Sequence, residues 1–374
     1  MVPVGRSRWD PSDRRRPQTR QRPRDEGGIR VLRAALRDLQ WRRKRFVIAM
    51  LGVALVFAMG LVMTGLAASF SLEVDRTLAA VGAEAWVISA TASGPLTGFS
   101  PIPESAMGPT PEEYSPAMML RQTITDNGSV HDIIALGVVP GELGSAEAQK
   151  GRSLAGPGEA VVDDALQIAD IGDSLTFGSQ TFEVVGTVSG QRLYAGLPLV
   201  YITLEDARAI GVQGQPMVTA FLFKEPPASV PEGLRTLTNS EVKTDALRPL
   251  DSAVSSISFM RLLLWLVAAT IIGSVLYLQA MERTRDFAVF KATGTSTAAI
   301  GLGLALQAVV LSLAAAALAA VFAVVLAPLF PMHVEIPASA FVLLPVVTVV
   351  VGLLASLIAL RKVATVQPAL AFGG

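Results

Sequence analysis

Four long runs of apolar residues restrict what this chain can fold into. They cover residues 46–66, 262–280, 298–326 and 341–360, and each is nearly free of charge. A helix of about 20 apolar residues crosses the roughly 30 Å hydrocarbon core of a bilayer. Because a helix satisfies its own backbone hydrogen bonds, such runs favour spanning helices over strands. The sequence therefore predicts an α-helical membrane protein with four transmembrane helices in a 1+3 arrangement.

The charged residues indicate how these helices are oriented. Residues 1–45 contain 15 Arg and Lys but 5 Asp and Glu, whereas residues 67–260 contain 10 and 23. Basic segments stay in the cytoplasm. We therefore expect a multi-pass protein of a bacterial plasma membrane, with both termini and residues 281–297 in the cytoplasm. The Arg42–Arg43 pair also resembles a twin-arginine export signal, but the run that follows is long for a signal and three more runs come after it.

The segment between the first and second runs has the pattern of an α+β extracytoplasmic domain. Strands are predicted at residues 85–89, 133–139, 159–164, 174–177, 181–188, 199–203 and 218–223. A short helix is predicted at 204–210 with Thr203 as its N-cap. Residues 91–117, rich in Pro, Gly, Ser and Thr, are predicted to be loop. An acidic group, Asp163, Asp164, Asp170 and Asp173, favours a solvated surface, because its spacing fits no calcium loop.

The sequence lacks the residues that several kinds of chemistry require. It contains no cysteine and two histidines far apart, His131 and His333, so thiolate or histidine metal sites are not expected. No phosphate-binding loop of the G-x-x-x-x-G-K-[ST] type is present. We therefore expect no enzymatic activity, no cofactor in this chain and no nucleic-acid partner.

The amino-terminal region changes character near residue 28. Residues 1–28 are rich in Arg and Pro and are predicted to be a disordered basic tail. The following apolar residues recur at steps of three and four and predict an interfacial amphipathic helix over 29–45. The residues of that helix predicted to contact the membrane are Ile29, Leu32, Leu36, Leu39 and Trp41.

The short segment between the second and third runs carries the most specific pattern. Helix-forming residues extend from Glu282 to Ala292, and Gly294 is placed to end them. Phe287 and Phe290 fall on one face, with charges around them, which suits a helix that docks on a partner protein. An ordinary loop at the membrane surface is an equally good interpretation from these residues alone. The predicted docking residues are Glu282, Arg283, Arg285, Asp286, Phe287, Phe290 and Lys291.

This segment resembles a known motif. The residues ERTRDFAVFKATGTS at 282–296 resemble the E-R-x-R-E-[FIL]-[AG]-[VIL]-[LMF]-[KR]-A-x-G-x-S loop of FtsX-type and MacB-type ABC transporter permeases. The tail RKVATVQPAL at 361–370 is similar to the ending of that family, and the order of elements also matches. The resemblance implies a permease dimer, either homodimeric or heterodimeric. It also implies two copies of a separate ATPase, which would bind the ATP and Mg.

The predicted organisation combines these observations. Its segments are the disordered tail (1–28), the interfacial helix (29–45), transmembrane helix 1 (46–66), the extracytoplasmic α+β domain (67–260), transmembrane helix 2 (262–280), the cytoplasmic coupling helix loop (281–297), transmembrane helix 3 (298–326), a short outer loop (327–340), transmembrane helix 4 (341–360) and the cytoplasmic tail (361–374).

Three functions are compatible with this organisation. The first is export or extraction of an amphiphile, lipid or peptide, driven by ATP hydrolysis in the partner and transmitted as movement of the extracytoplasmic domain. The second is transmembrane signalling that regulates an extracytoplasmic partner, such as an adaptor or a cell-wall hydrolase. The third, a membrane-anchored enzyme or sensor, is disfavoured because it needs no coupling helix.

Overall fold

The computed structural model describes residues 43–109, 113–126, 128–330 and 334–364. The predicted basic tail and the predicted interfacial helix, with Ile29, Leu32, Leu36, Leu39 and Trp41, lie outside the described residues. So does the carboxyl-terminal segment from residue 365 onward.

Four of the helices in the described residues are long and apolar enough to cross a membrane. The helices are α1 (Arg43–Val81), α2 (Leu204–Val212), α3 (Asn239–Leu247), α4 (Asp251–Glu282), α5 (Thr284–Ala292), α6 (Thr297–Leu326) and α7 (Ala338–Ala364). The spanning ones are α1, α4, α6 and α7, and the four apolar runs lie within them. Helix α1 continues 15 residues beyond the predicted span because no Pro or Gly interrupts residues 67–81. It ends where Gly82 adopts a φ of 72°.

The four spanning helices form a closed bundle. Helix α1 packs against α4 and α6, and α7 packs against the same two helices from the other side. Small residues permit the close approach: a Cβ added at Gly352 on α7 would lie 2.2 Å from the Ser312 Oγ on α6. Such small-residue contacts drive helix association in lipid, where apolar burial alone contributes little.

A mixed β-sheet forms the centre of the domain between α1 and α4, called here the α+β domain. Its strands are β1 (Ala85–Ser89), β2 (Ile102–Pro103), β3 (Tyr114–Asp126), β4 (Ser129–Val138), β5 (Lys150–Gly151), β6 (Glu159–Asp163), β7 (Ser174–Phe177), β8 (Gln180–Val188), β9 (Arg192–Leu193), β10 (Leu197–Thr203), β11 (Met217–Val218), β12 (Ala220–Phe223) and β13 (Leu234–Thr238). The main order is β13-β1-β12-β3-β4-β10-β6-β8-β5, with β7 on β8 and β9 on β10, and β2 pairs with β11. The β4–β10 and β6–β8 pairs are parallel and the others are antiparallel.

The two faces of this sheet are covered by different helices. Trp86 and other residues of one face pack against Val74 and Leu78 of α1 and Val242 of α3. The opposite face packs against α2 through Leu204 and Ala207. The predicted N-cap is confirmed, because the Thr203 Oγ1 accepts a hydrogen bond from the Asp206 backbone N–H at 3.1 Å. The upper part of α1 is therefore built into the α+β domain.

Two sequence-based predictions for this domain are wrong. Residues 91–117 are not all loop, because β2 lies at Ile102–Pro103 and the long strand β3 begins at Tyr114. The loop prediction followed the Pro and Gly content of the residues before Tyr114 and was extended too far, into the start of β3. The acidic group is also not uniformly solvated: Asp164, Asp170 and Asp173 are exposed, but Asp163 is fully buried.

Candidate functional site

The segment that joins α4 to α6 forms a sharp corner at one end of the bundle. Helix α4 ends at Glu282, and Arg283 separates it from α5. At the other end of α5, Gly294 has a φ of 91° and donates its N–H to the Lys291 carbonyl at 3.0 Å. That left-handed conformation favours glycine. The Ser296 Oγ then accepts from the Ala299 N–H at 3.2 Å and caps α6. Both ends of α5 are thus fixed by specific backbone geometry.

One face of α5 closes the end of the bundle. Phe287 and Ala288 are 5% and 0% exposed and belong to the apolar cluster formed by the spanning helices. Phe290 is partly buried against the same cluster. Phe287, predicted to be a docking residue, thus packs its aromatic ring inside this chain. These rings hold α5 on the bundle.

A second surface at this corner faces away from the bundle. Val289 of α5 and Met281 near the end of α4 are 48% and 47% exposed, and Glu282 of α4 and Arg285 and Asp286 of α5 are exposed around them. These five residues, which include the end of α4, are called the exposed α5 surface. Arg283 Nε lies 3.3 Å from Asp286 Oδ2, which orients that carboxylate. Lys291 is half-buried. A small apolar centre with a charged rim of both signs is typical of a specific protein contact.

Two helical connections link this end of the bundle to the α+β domain. Helix α1 is continuous, and α3 joins α4 through a 3₁₀ turn at Arg248–Leu250. Above the bundle, Lys243 Nζ lies 2.6 Å from both carboxylate oxygens of Asp75 and ties α3 to α1. The Trp86 indole N–H donates to Asn239 Oδ1 at 2.9 Å, which ties α3 to strand β1. The spanning helices and the sheet are therefore joined by direct contacts.

A partly buried ionic network lies at the base of the α+β domain. Arg192 donates from Nε to Asp163 Oδ1 at 2.8 Å and from Nη2 to Asp164 Oδ1 at 2.7 Å. Burial acts against ionisation of Asp164, but hydrogen bonds from Ser189 and Arg192 hold its pKa below the usual range. Within the described residues, no group of His, Cys, Asp and Glu could hold a metal ion. The network thus fixes the loop after β6 against the β9–β10 hairpin.

Comparison with known proteins assigns both parts of the chain. The model of the MacB-like periplasmic core domain matches residues 46–237. The model of the FtsX-like permease C-terminal region matches residues 258–368. The first match covers most of α1 and most of the α+β domain, and the second covers most of α4 and all of α5–α7.

The chain is also similar to individual proteins. An uncharacterized ABC transporter permease of Mycobacterium tuberculosis is 42% identical over 349 residues, which cover 92% of this chain and 100% of the relative. A protein of Staphylococcus haemolyticus named as a hemin transport system permease, HrtB, is 22% identical over 355 residues, covering 91% and 99%. The extracellular domain of the noncanonic ABC-type transporter YknZ from Gram-positive bacteria matches with 12% identity and a TM-score of 0.30, over 41% of this chain and 99% of that one.

The four spanning helices, the α+β domain inserted after the first of them, and α5 are now accounted for by one family. An ABC transporter permease is the non-catalytic membrane subunit and implies a partner ATPase. The chain belongs to the family of FtsX-like ABC transporter permeases with a MacB-like periplasmic core domain.

Proposed function

We propose that this permease converts ATP-driven movement of its ATPase partner into movement of the α+β domain, and thereby exports or extracts an amphiphile. The observation that carries the proposal is the two-sided character of α5. Its aromatic face is buried in the bundle, while the exposed α5 surface faces away from the bundle. A helix fixed to the bundle on one side and exposed on the other transmits force between two proteins.

The docking residues follow from this geometry. We propose that Val289 and Met281 supply the apolar contact and that Glu282, Arg285 and Asp286 set its orientation. Phe287 and Phe290 act from the inside by holding α5 in place, and Arg283 acts through its contact with Asp286. Lys291, half-buried on the same helix, lies at the margin of this contact.

The proposed assembly contains two permeases and two ATPase subunits that bind ATP and Mg. Support for a second permease comes from α4, which exposes Phe259, Leu262 and Leu266 at 61%, 56% and 65% just before and at the start of the apolar run. That face packs against either lipid or another copy, and we favour another copy. The proposed location is the plasma membrane, with both termini and α5 in the cytoplasm and the α+β domain outside.

The experiment that tests docking uses matched valine substitutions. Val289→Asp buries a charge in the proposed contact, so association with the co-expressed ATPase should weaken by about tenfold or more. Val130→Asp introduces the same change at a 66% exposed position in the α+β domain and serves as the control. Co-purification of the ATPase and stimulated ATP hydrolysis are measured together. Unchanged association and hydrolysis with Val289→Asp would assign α5 to the membrane surface and end the docking proposal.

A second experiment tests the proposed orientation. The chain contains no cysteine, so a single introduced cysteine is its one site of labelling by a thiol reagent. Ser129→Cys lies in the α+β domain and Ala292→Cys lies at the end of α5, and both positions are exposed. In intact cells a membrane-impermeant thiol reagent should label position 129 and spare position 292 until the membrane is opened. The reverse pattern would invert the topology.

A further inference from the structure

A large cavity lies where α1, the α+β domain and the loop between α6 and α7 meet. Its volume is about 930 Å³, within the range of small-molecule binding sites. One wall is polar and includes Glu73, Asp164 and Arg192. Another wall is apolar and includes Phe330 and Phe341 near the outer ends of α6 and α7. The cavity therefore presents both halves of an amphiphilic environment.

Glu73 is the unusual residue of this cavity. Its side chain is 8% exposed, and its Oε2 is buried with no hydrogen-bond partner in the part of the chain that the structure describes. Buried carboxylate oxygens are nearly always hydrogen-bonded, because an unpaired one is costly. The neighbouring exposed acid on α1, Asp75, is by contrast paired with Lys243. A hydrogen-bond donor on a ligand would supply the missing partner of Glu73 Oε2.

The charged side chains around the cavity determine which charge the ligand can carry. Arg192 is already engaged by Asp163 and Asp164. Arg76 donates to both carboxylate oxygens of Glu335, at 2.9 and 2.8 Å. With these cations paired, the carboxylates outnumber them around Glu73. A cationic donor such as an ammonium group is favoured here, and an anionic headgroup is disfavoured.

An apolar groove extends from the cavity along the membrane-spanning surface. It has a volume of about 390 Å³ and is lined by Ala320, Val321, Val324, Val325 and Phe341. It shares Val324 and Phe341 with the cavity. Val321 and Val325 are 58% and 63% exposed on α6. The groove thus connects the surface of a spanning helix to the buried carboxylate.

The hairpin loop over the cavity has a strained backbone. Tyr194 and Ala195 have φ values of 51° and 67°, and Gly196 follows with 105°. Ala195 and Gly196 line the cavity. Consecutive non-glycine residues in the left-handed region are uncommon and concentrate at ligand sites. The strain is consistent with a loop shaped for binding.

We propose that the cavity and the groove together bind a cationic amphiphile, with its ammonium group at Glu73 and its alkyl tail along α6. The inference rests on the proposed function, because it names the class of cargo. It also adds an entry route: the amphiphile arrives from the bilayer along α6 and reaches the base of the α+β domain without leaving the protein surface.

The test uses three photoreactive probes on the full-length chain in lipid nanodiscs. Each probe has the same twelve-carbon chain with a diazirine, and ends in a primary amine, a carboxylate or a hydroxyl group. Cross-linked peptides are quantified by mass spectrometry. The amine should label residues 320–341 about tenfold more than the other two probes, the ratio expected for one charge-assisted hydrogen bond.

Variants identify the headgroup site. Glu73→Gln keeps the shape of the side chain and should abolish the preference for the amine. Asp75→Asn removes a charge two residues away and should leave the preference unchanged. Val324→Trp fills the junction of cavity and groove and should reduce labelling by all three probes, which keeps the test valid if Glu73→Gln misfolds.

Three outcomes would overturn the inference. They are equal labelling by all probes, which indicates bulk lipid only, stronger labelling by the carboxylate, and an amine preference that survives Glu73→Gln. The binding test needs no ATPase, so its failure is separate from failure of the docking test. Unchanged ATPase association of Val289→Asp, together with intact amine labelling, would instead overturn the proposed docking and leave the binding site.

Discussion

Replacing Asp163 by Asn should destabilise the α+β domain, although the change is nearly isosteric. Asp163 Oδ1 accepts from the Ala165 N–H at 3.0 Å and from the Arg192 Nε–H at 2.8 Å, and Oδ2 accepts from the Gln191 N–H at 2.7 Å. An Asn carbonyl oxygen in the Oδ1 position retains two of these bonds. Its NH₂ group then faces the Gln191 N–H, which places two donors together.

The expected cost follows from these contacts. A buried donor left without an acceptor costs about 1–3 kcal/mol, and breaking a buried ion pair costs about 3–5 kcal/mol. Arg192 keeps Asp164 as a second partner, so we expect about 3 kcal/mol for Asp163→Asn. The matched control is Asp164→Asn. Its side chain is 52% exposed, so the change should cost less than about 1 kcal/mol.

Hydrogen exchange of the full-length chain in nanodiscs measures this difference. The amides of β6 and β10 exchange through opening of the domain, so Asp163→Asn should accelerate them about a hundredfold, and Asp164→Asn only severalfold. Amides within α6 should exchange as in the wild type, because the bundle is untouched. Equal acceleration by both substitutions, or none by Asp163→Asn, would refute the view that this network stabilises the domain.

Three further outcomes are expected. Gly352→Ala should destabilise the bundle, because the added Cβ would lie 2.2 Å from the Ser312 Oγ and 3.2 Å from the Ala308 carbonyl oxygen. The control is Gly52→Ala, whose added Cβ meets nothing within 4 Å. Thermal unfolding in detergent should show a lower midpoint for Gly352→Ala than for Gly52→Ala. Asn239→Ala should lower domain stability by about 1–3 kcal/mol by leaving the Trp86 indole N–H without its acceptor, measured by hydrogen exchange of β1. The hydrogen bond from the Arg152 guanidinium lowers the pKa of Glu159 to about 2 from 4.5. The stability that the wild type gains over Glu159→Gln should therefore be complete above pH 4.5 and decline as the pH falls towards 2. A stability difference that does not depend on pH would contradict this.

The sequence predicts the membrane-spanning part well because lipid imposes a simple rule. Charge-free runs of sufficient length must be helices, and all four runs lie within α1, α4, α6 and α7. Some short strands were also predictable. Two of them, Ala85–Ser89 and Ser174–Phe177, have the predicted bounds. In these cases the local pattern and the fold impose the same structure.

The orientation of α5 could not be predicted in the same way. Periodicity places Phe287 and Phe290 on one face, but it does not say which face meets the bundle. That choice depends on packing, and burial of the aromatic rings against the spanning helices decided it. The exposed α5 surface, centred on Val289, became evident only with the structure.

Glu73 and Asp163 illustrate a second limit. Asp163 lies in an acidic stretch and Glu73 follows an apolar run, so each resembles an ordinary surface acid in sequence. Their burial depends on contacts with residues far along the chain. Arg192 lies near both, and residues before α7 line the same cavity as Glu73. A single acid between Phe70 and Val74 on a helix that leaves the membrane was the available signal.

The continuity of α1 has a geometric consequence. At 1.5 Å per residue, its 39 residues make a rod about 58 Å long. A tilt of about 5° around one end of such a rod moves the other end sideways by about 5 Å, roughly the spacing between neighbouring strands. Small rotations beneath the bundle therefore become strand-sized displacements at the sheet, and no segment of the helix needs to unwind for this to happen.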